Sequence, residues 1–181
     1  MNDAPCVRRQ LTLFVPPPEG PALDALRARL DPVQAGLIAA HVTLCREDEI
    51  QAMGWPQLQE RLDCWPFGAL VLVFGPAERF QGHGLLRPCT AGADGFQALR
   101  RWVLRNESVR MHPAHLTLAH PRNPVAAGND EPAFAACAKA PPLRLTLASV
   151  SLIEQTGASA WRRLHQRMLG HGVAADPSGK T

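Results

Sequence analysis

The chain has 181 residues, a length for one domain or at most two small ones, and its 46% apolar and 19% charged residues describe an ordinary globule rather than a disordered chain. The longest apolar run, Gly68–Gly75, is too short to span a bilayer. Nineteen basic residues against 16 acidic ones are too mild a balance for gripping long duplexes through phosphates alone, and five scattered cysteines with no C-x-x-C form neither a disulfide framework nor a zinc site.

The N-terminal MNDAPCVRRQ has no apolar core ahead of a cleavage site, so a cytoplasmic monomer without membrane attachment is expected. Gln10–Val15 alternates as a strand and ends at Pro16–Pro18, which cannot donate to a ladder. A helix is expected from Pro21 to Leu30, with Leu23, Leu26 and Leu30 on one face. The apolar run Leu37–Cys45 follows, then a helix from Pro56 carrying Leu58 and Leu62. Ala69–Phe74 is the clearest strand, followed by a turn at Gln81–Gly84 and a short strand at Leu85–Arg87. Ala93–Arg105 has helical period through Phe96, Leu99 and Val103. After the apolar run Ala114–Ala119, the Pro- and Asn-rich stretch Pro121–Pro132 is a loop. A short helix at Ala133–Lys139 and one long strand at Leu143–Ile153 complete the core. Trp161–Leu169 fits either a helix or a final strand, and the tail 171–181 is expected to be flexible.

An internal repeat runs through this order. Ala25-Leu26-Arg27 stands 16 residues before His41, and Ala98-Leu99-Arg100 stands 17 before His115. Each half is a strand, a helix, and a strand beginning Ala-His-apolar-Thr-Leu. Two copies of one α+β unit predict pseudo-twofold lobes of antiparallel sheet with outer helices and a central cleft.

Residues i and i+2 of a strand share a face. His41 and Thr43 therefore project together, as do His115 and Thr117, with Val42, Leu44, Leu116 and Leu118 behind them. Two imidazoles on either side of a substrate can serve as general base and general acid, each contributing on the order of 10²–10⁴ in rate. Two hydroxyls can donate to the non-bridging oxygens of a phosphodiester as charge develops there. A lone His-x-Thr is ordinarily a satisfied histidine beside a β-former; two copies at matching places in a repeat favour catalysis. This chemistry needs no metal or cofactor, and none is expected.

The tetrads His41-Val42-Thr43-Leu44 and His115-Leu116-Thr117-Leu118 resemble those of the 2H phosphoesterase superfamily, which includes the bacterial 2′,5′ RNA ligase-like proteins. In order of elements the resemblance extends from Gln10 to about Leu169, although only the tetrads are specific. It implies a bilobal α+β fold, here one catalytic domain over 1–170. It also implies metal-independent cleavage or transfer at cyclic or linear phosphodiesters of nucleotides or RNA ends. The histidines would be acid and base, and the threonines would bind phosphate. Cys45-Arg46-Glu47-Asp48 after the first tetrad and the absence of tyrosine depart from the RNA-ligase-like branch. His120-Pro121-Arg122-Asn123 is similar to a run found in a bacterial branch of the superfamily.

Arg46 and Arg122 each follow a motif strand and are candidates to reach phosphate oxygens. Phe14, Arg87 and His120 are further candidates for substrate contact, with core packing the competing role for Phe14. His112, His115 and His120 match no common zinc spacing, and strand alternation would put His112 and His115 on opposite faces. Cys45 reads as a buried, inert thiol. The expected partner is a nucleotide or RNA end. The alternative is a non-catalytic binding module of the same fold.

Overall fold

The computed structural model describes residues 6–80 and 83–170; the tail 171–181 and Gln81 and Gly82 of the expected turn lie outside the described residues. Strand β1 (Val7–Phe14) is a central strand, and Leu11, Thr12 and Leu13 are all fully buried. It pairs antiparallel with β2 (His41–Cys45), which sets Thr12 opposite Thr43 and Phe14 opposite His41. Its other neighbour is β8 (Ser149–Thr156), beyond which lies β9 (Arg162–Met168). Between β1 and β2 the chain forms helix α1 (Glu19–Leu30) and the short α2 (Pro32–Ala35), begun by the Asp31 carboxylate accepting the Gln34 N–H.

The second half repeats this plan. Strand β5 (Leu85–Ala91) pairs antiparallel with β6 (His115–Ala119), which places Pro88 opposite His115 and Leu86 opposite Thr117. Along β5 also run β3 (Leu70–Phe74) and the two-residue β4 (Glu78–Arg79), and β3 pairs in turn with β7 (Leu143–Leu147). Helix α5 (Ala93–Leu104) lies between β5 and β6 and buries Phe96, Leu99 and Val103, the periodic face read from the sequence. Helices α3 (Glu47–Ile50), α4 (Trp55–Asp63) and α6 (Glu131–Ala138) and a 3₁₀ turn at Ala127–Asn129 complete the chain. The result is the expected α+β architecture of two antiparallel sheets over one continuous core. No described helix is long and apolar enough to cross a membrane.

Two expectations are corrected and an open one is decided. The single strand Leu143–Ile153 is two strands in different sheets, parted at Ala148, so the chain passes there from one lobe to the other. Its continuous apolar alternation hides the break, because both parts are sheet. Of the two readings open for Trp161–Leu169 the structure has the strand: Arg162–Met168 forms β9, paired along β8. The strand at Leu85 runs on through Pro88 to Ala91.

Each helix of the repeat also packs against the motif strand of the other half: α1 against β6, and α5 against both β2 and β3. Arg100 of α5 is fully buried, donates to the Leu44 carbonyl of β2 and pairs with Glu49 at 2.6 Å. Burial pushes the Glu49 carboxyl up, but Arg100, the Arg46 backbone N–H and Arg110 outweigh it and the net shift is downward. Removing one member of such a pair strands the other's charge. Arg100→Met should cost about 3–5 kcal/mol in urea unfolding, and Arg100→Met with Glu49→Leu should recover much of that loss. A single variant with parental stability would show that the pair does not hold the halves together.

Candidate active site

His41 opens β2 and His115 opens β6. Alternation sends Val42, Leu44, Leu116 and Leu118 into the core, none more than 2% exposed. It leaves His41, Thr43, His115 and Thr117 half-buried on the opposite faces. The two motif strands lie against each other, each at the margin of its sheet.

Both imidazoles are held alike. His41 Nδ1 lies 2.8 Å from the Ala39 carbonyl and His115 Nδ1 lies 2.9 Å from the Pro113 carbonyl, two residues upstream in each case. A carbonyl only accepts, so each neutral ring carries its proton on Nδ1 and keeps Nε2 free. The repeat thus extends to the tautomer.

Arg27 of α1, 4% exposed, ties the two motifs together. Its Nε donates to the Thr117 carbonyl at 3.1 Å, and its Nη1 donates to the Ile38 carbonyl at 2.7 Å and to Asp24 Oδ1 at 3.3 Å. One guanidinium therefore spans from the second motif to the segment leading into the first. Asp24 Oδ1 accepts the Ala40 N–H at 2.6 Å, which fixes the residue before His41. Asp31, 1% exposed, accepts from the His120 N–H at 2.9 Å and from Asn123 Nδ2 at 2.7 Å, fixing the exit of β6.

Positive charge gathers around these groups. Burial, with the charges of Arg27, His115 and His120, lowers the His41 pKa to about 4 against the opposing pull of the Ala39 carbonyl. Burial, with Arg100 and His115, lowers His112 to about 4. His120 is lowered by burial and by the Arg122 charge. Cys45 is pushed up to about 12 by burial, so its thiol stays protonated and inert.

Of the remaining candidates, Arg46 and Arg122 are exposed just beyond the ends of β2 and β6. The Arg122 backbone N–H donates to His120 Nδ1 at 3.0 Å. His120 is half-buried and close enough to His41 to influence its charge. Phe14 is half-buried, and its ring lies 6.2 Å from the His41 ring. Arg87 is corrected: it is 7% exposed and donates to the carbonyls of Gly75, Phe74 and Pro141. Its guanidinium is a strut inside the second lobe, given over to backbone carbonyls. His112 and His115 do not alternate across a strand, because β6 begins only at His115; their rings meet edge to face at 5.8 Å. Among the described residues, no group of three or more His, Cys, Asp or Glu side chains is placed to hold a metal ion. The parts unforeseen from sequence are Arg27, Asp24 and Asp31. The repeated Ala-Leu-Arg is the one available signal for Arg27.

No protein-family model and no curated protein sequence matches the chain. Solved structures do. The E. coli LigT complexed with NADP+ superposes with a TM-score of 0.57 at 16% identity, covering 90% of this chain and 97% of that one. The E. coli LigT complexed with phosphate gives 0.55 at 16%, covering 92% and 99%. The TT0787 protein of Thermus thermophilus gives 0.55 at 15%, covering 90% and 97%. The likeness is one of fold over almost the whole chain, and the chain folds as the LigT-like 2H phosphoesterases do.

Proposed function

We propose that the protein is a metal-independent phosphodiesterase acting on nucleotide 2′,3′-cyclic phosphates or on RNA ends, including 2′,5′ linkages. The observation that carries this reading is the paired construction of the site. Two histidines, each with Nδ1 tied to the carbonyl two residues upstream, stand on adjoining strands with a threonine two places further on. The fold shared with LigT supports it, since that protein has been seen with phosphate and with 3′-AMP bound.

The chemistry follows from the free Nε2 atoms. One imidazole takes a proton from water or a ribose hydroxyl as the new P–O bond forms. The other protonates the departing oxygen as the old P–O bond breaks. Thr43 and Thr117 donate to the non-bridging oxygens, which gain charge in the transition state. Arg46, Arg122 and His120 stand around the ends of the motif strands as further donors to phosphate. Above pH about 4 His41 is neutral, and a phosphate beside it would favour its protonated form.

Purified protein is to be tested against cyclic nucleotides and 2′,5′- and 3′,5′-linked dinucleotides. His41→Ala and His115→Ala should each lower kcat by about 10²–10⁴, with circular dichroism unchanged. Thr43→Val or Thr117→Val should lower it by roughly 10²–10³. Turnover at the parental rate by either histidine variant would sink the mechanism. Tight nucleotide binding without turnover in the parent would point to the binding module instead.

The pH dependence has a definite sign. His41 and His112 bind protons more weakly folded, near 4, than unfolded, near 6.5. Their contribution to stability is therefore intact above about 6.5 and is lost as pH falls toward 4. Inorganic phosphate should raise the His41 pKa in an NMR titration and bind more tightly as pH falls through that window. A His41 resonance that phosphate leaves unmoved would place the anion elsewhere.

A further inference from the structure

The threonines of the paired motifs meet different neighbours. Across the β1–β2 pair Thr43 faces Thr12, whereas across the β5–β6 pair Thr117 faces Leu86. Only the first half therefore sets a hydroxyl opposite its motif threonine. The second half secures Thr117 through its main chain, where the Arg27 guanidinium donates to the carbonyl.

Thr12 is placed by its strand and closed off from any substrate. Phe14, two residues on, lies opposite His41, and Leu13 lies opposite Val42. Thr12 therefore shares the face of Thr43 and His41, while Leu13 turns to the core. Thr12 is fully buried in the middle of the sheet, with Ser151 of β8 opposite it on the other side. A buried hydroxyl is costly unless its hydrogen bonds are made, and valine would fill this strand position without that cost. Gln10 Nε2 donates to Thr12 Oγ1 at 3.0 Å. An amide nitrogen only donates, so Thr12 accepts from Gln10 and keeps its own proton to give. Directly opposed residues of an antiparallel pair have Cβ atoms about 4.5–5.5 Å apart, close enough for one threonine hydroxyl to bond the other.

We infer that Thr12 is a positioning residue for Thr43: its hydroxyl donates to Thr43 Oγ1 and leaves the Thr43 proton to point at the phosphate. This role rests on the phosphodiesterase reading above. The order of donors is then Gln10 to Thr12, Thr12 to Thr43, and Thr43 to a non-bridging oxygen. Each hydroxyl accepts once and donates once, and the amide at the start fixes the direction. Charge that grows on the oxygen at the far end strengthens every bond of such a chain. The benefit therefore falls on the transition state more than on the bound substrate.

The test is a pair of double-mutant cycles in kcat, on whichever nucleotide substrate the parent turns over. Thr12→Val keeps the shape and strand preference of threonine, so circular dichroism should be unchanged. It should lower kcat by about 10-fold with KM little altered. Thr12→Ser, which keeps the hydroxyl, should retain most of the parental rate. In the Thr43→Val background, Thr12→Val should change kcat by less than about twofold, because the hydroxyl it serves is gone. In the Thr117→Val background its loss should remain about 10-fold. A parental kcat for Thr12→Val, or a loss of the same size in both backgrounds, overturns the positioning role and leaves the phosphodiesterase reading standing. If Thr43→Val turns over at the parental rate, Thr43 is not a donor and the role of Thr12 falls with it. If no substrate of any linkage is turned over, the phosphodiesterase reading itself fails, and this role with it.

Discussion

The geometry of the site depends on two buried guanidinium groups that each reach from one half of the chain to the motif strand of the other. Arg27 leaves α1 and donates to Thr117; Arg100 leaves α5 and donates to Leu44. Among the described residues, strands β2 and β6 each have one neighbour in their sheet, so the backbone on their other sides must find partners elsewhere. Unfilled edges that lie together invite pairing with one another. Guanidinium groups satisfy those carbonyls from the helices instead, and so fix the relation of the motif strands without merging them into one sheet. Burying a cation is costly, and both sites meet that cost in the same way. Asp24 sits against Arg27, and Glu49 sits against Arg100.

This arrangement explains why the repeated unit includes a helix as well as the tetrad. Had α1 braced only its own β2, the halves could move apart as independent units. Because each helix braces the opposite strand, both motifs must be present and docked before either is fixed. Symmetry then supplies matched imidazoles and hydroxyls, which the proposed chemistry places on two sides of one phosphorus. Departures from symmetry supply direction. Phe14 replaces Pro88 across from the histidine, and Arg46 stands where the second half has His120. The rim positions three before the histidines are Ile38 and His112. A substrate with unlike ends would meet unlike walls.

Much of this is legible in the sequence, and the boundary has a physical cause. The tetrads, the strand–helix–strand order and the apolar faces of α1 and α5 are local patterns of period two or 3.6, so they survive in a single chain read from end to end. The break at Ala148 is invisible there because it separates two strands with no turn residues between them, and only pairing partners tell them apart. Trp161–Leu169 stays open between helix and strand because a short segment can satisfy both periods. Arg87 reads as a phosphate ligand because its carbonyl partners at Gly75 and Pro141 are distant in sequence. Arg27 is in view as part of a repeat, yet its function is a contact 90 residues away, which periodicity does not encode.

The same buried charge links stability to the proposed activity. Burial first, and then the charges of Arg27, His115 and His120, hold His41 neutral well below the ordinary histidine range. A phosphate in the proposed role would offset those charges and meet donors already fixed in place, so little reorganisation would oppose its binding. The structural role of Arg27 and its electrostatic role are therefore not separable. The group that holds the two motifs at their spacing is also the one whose charge a phosphate between them would offset.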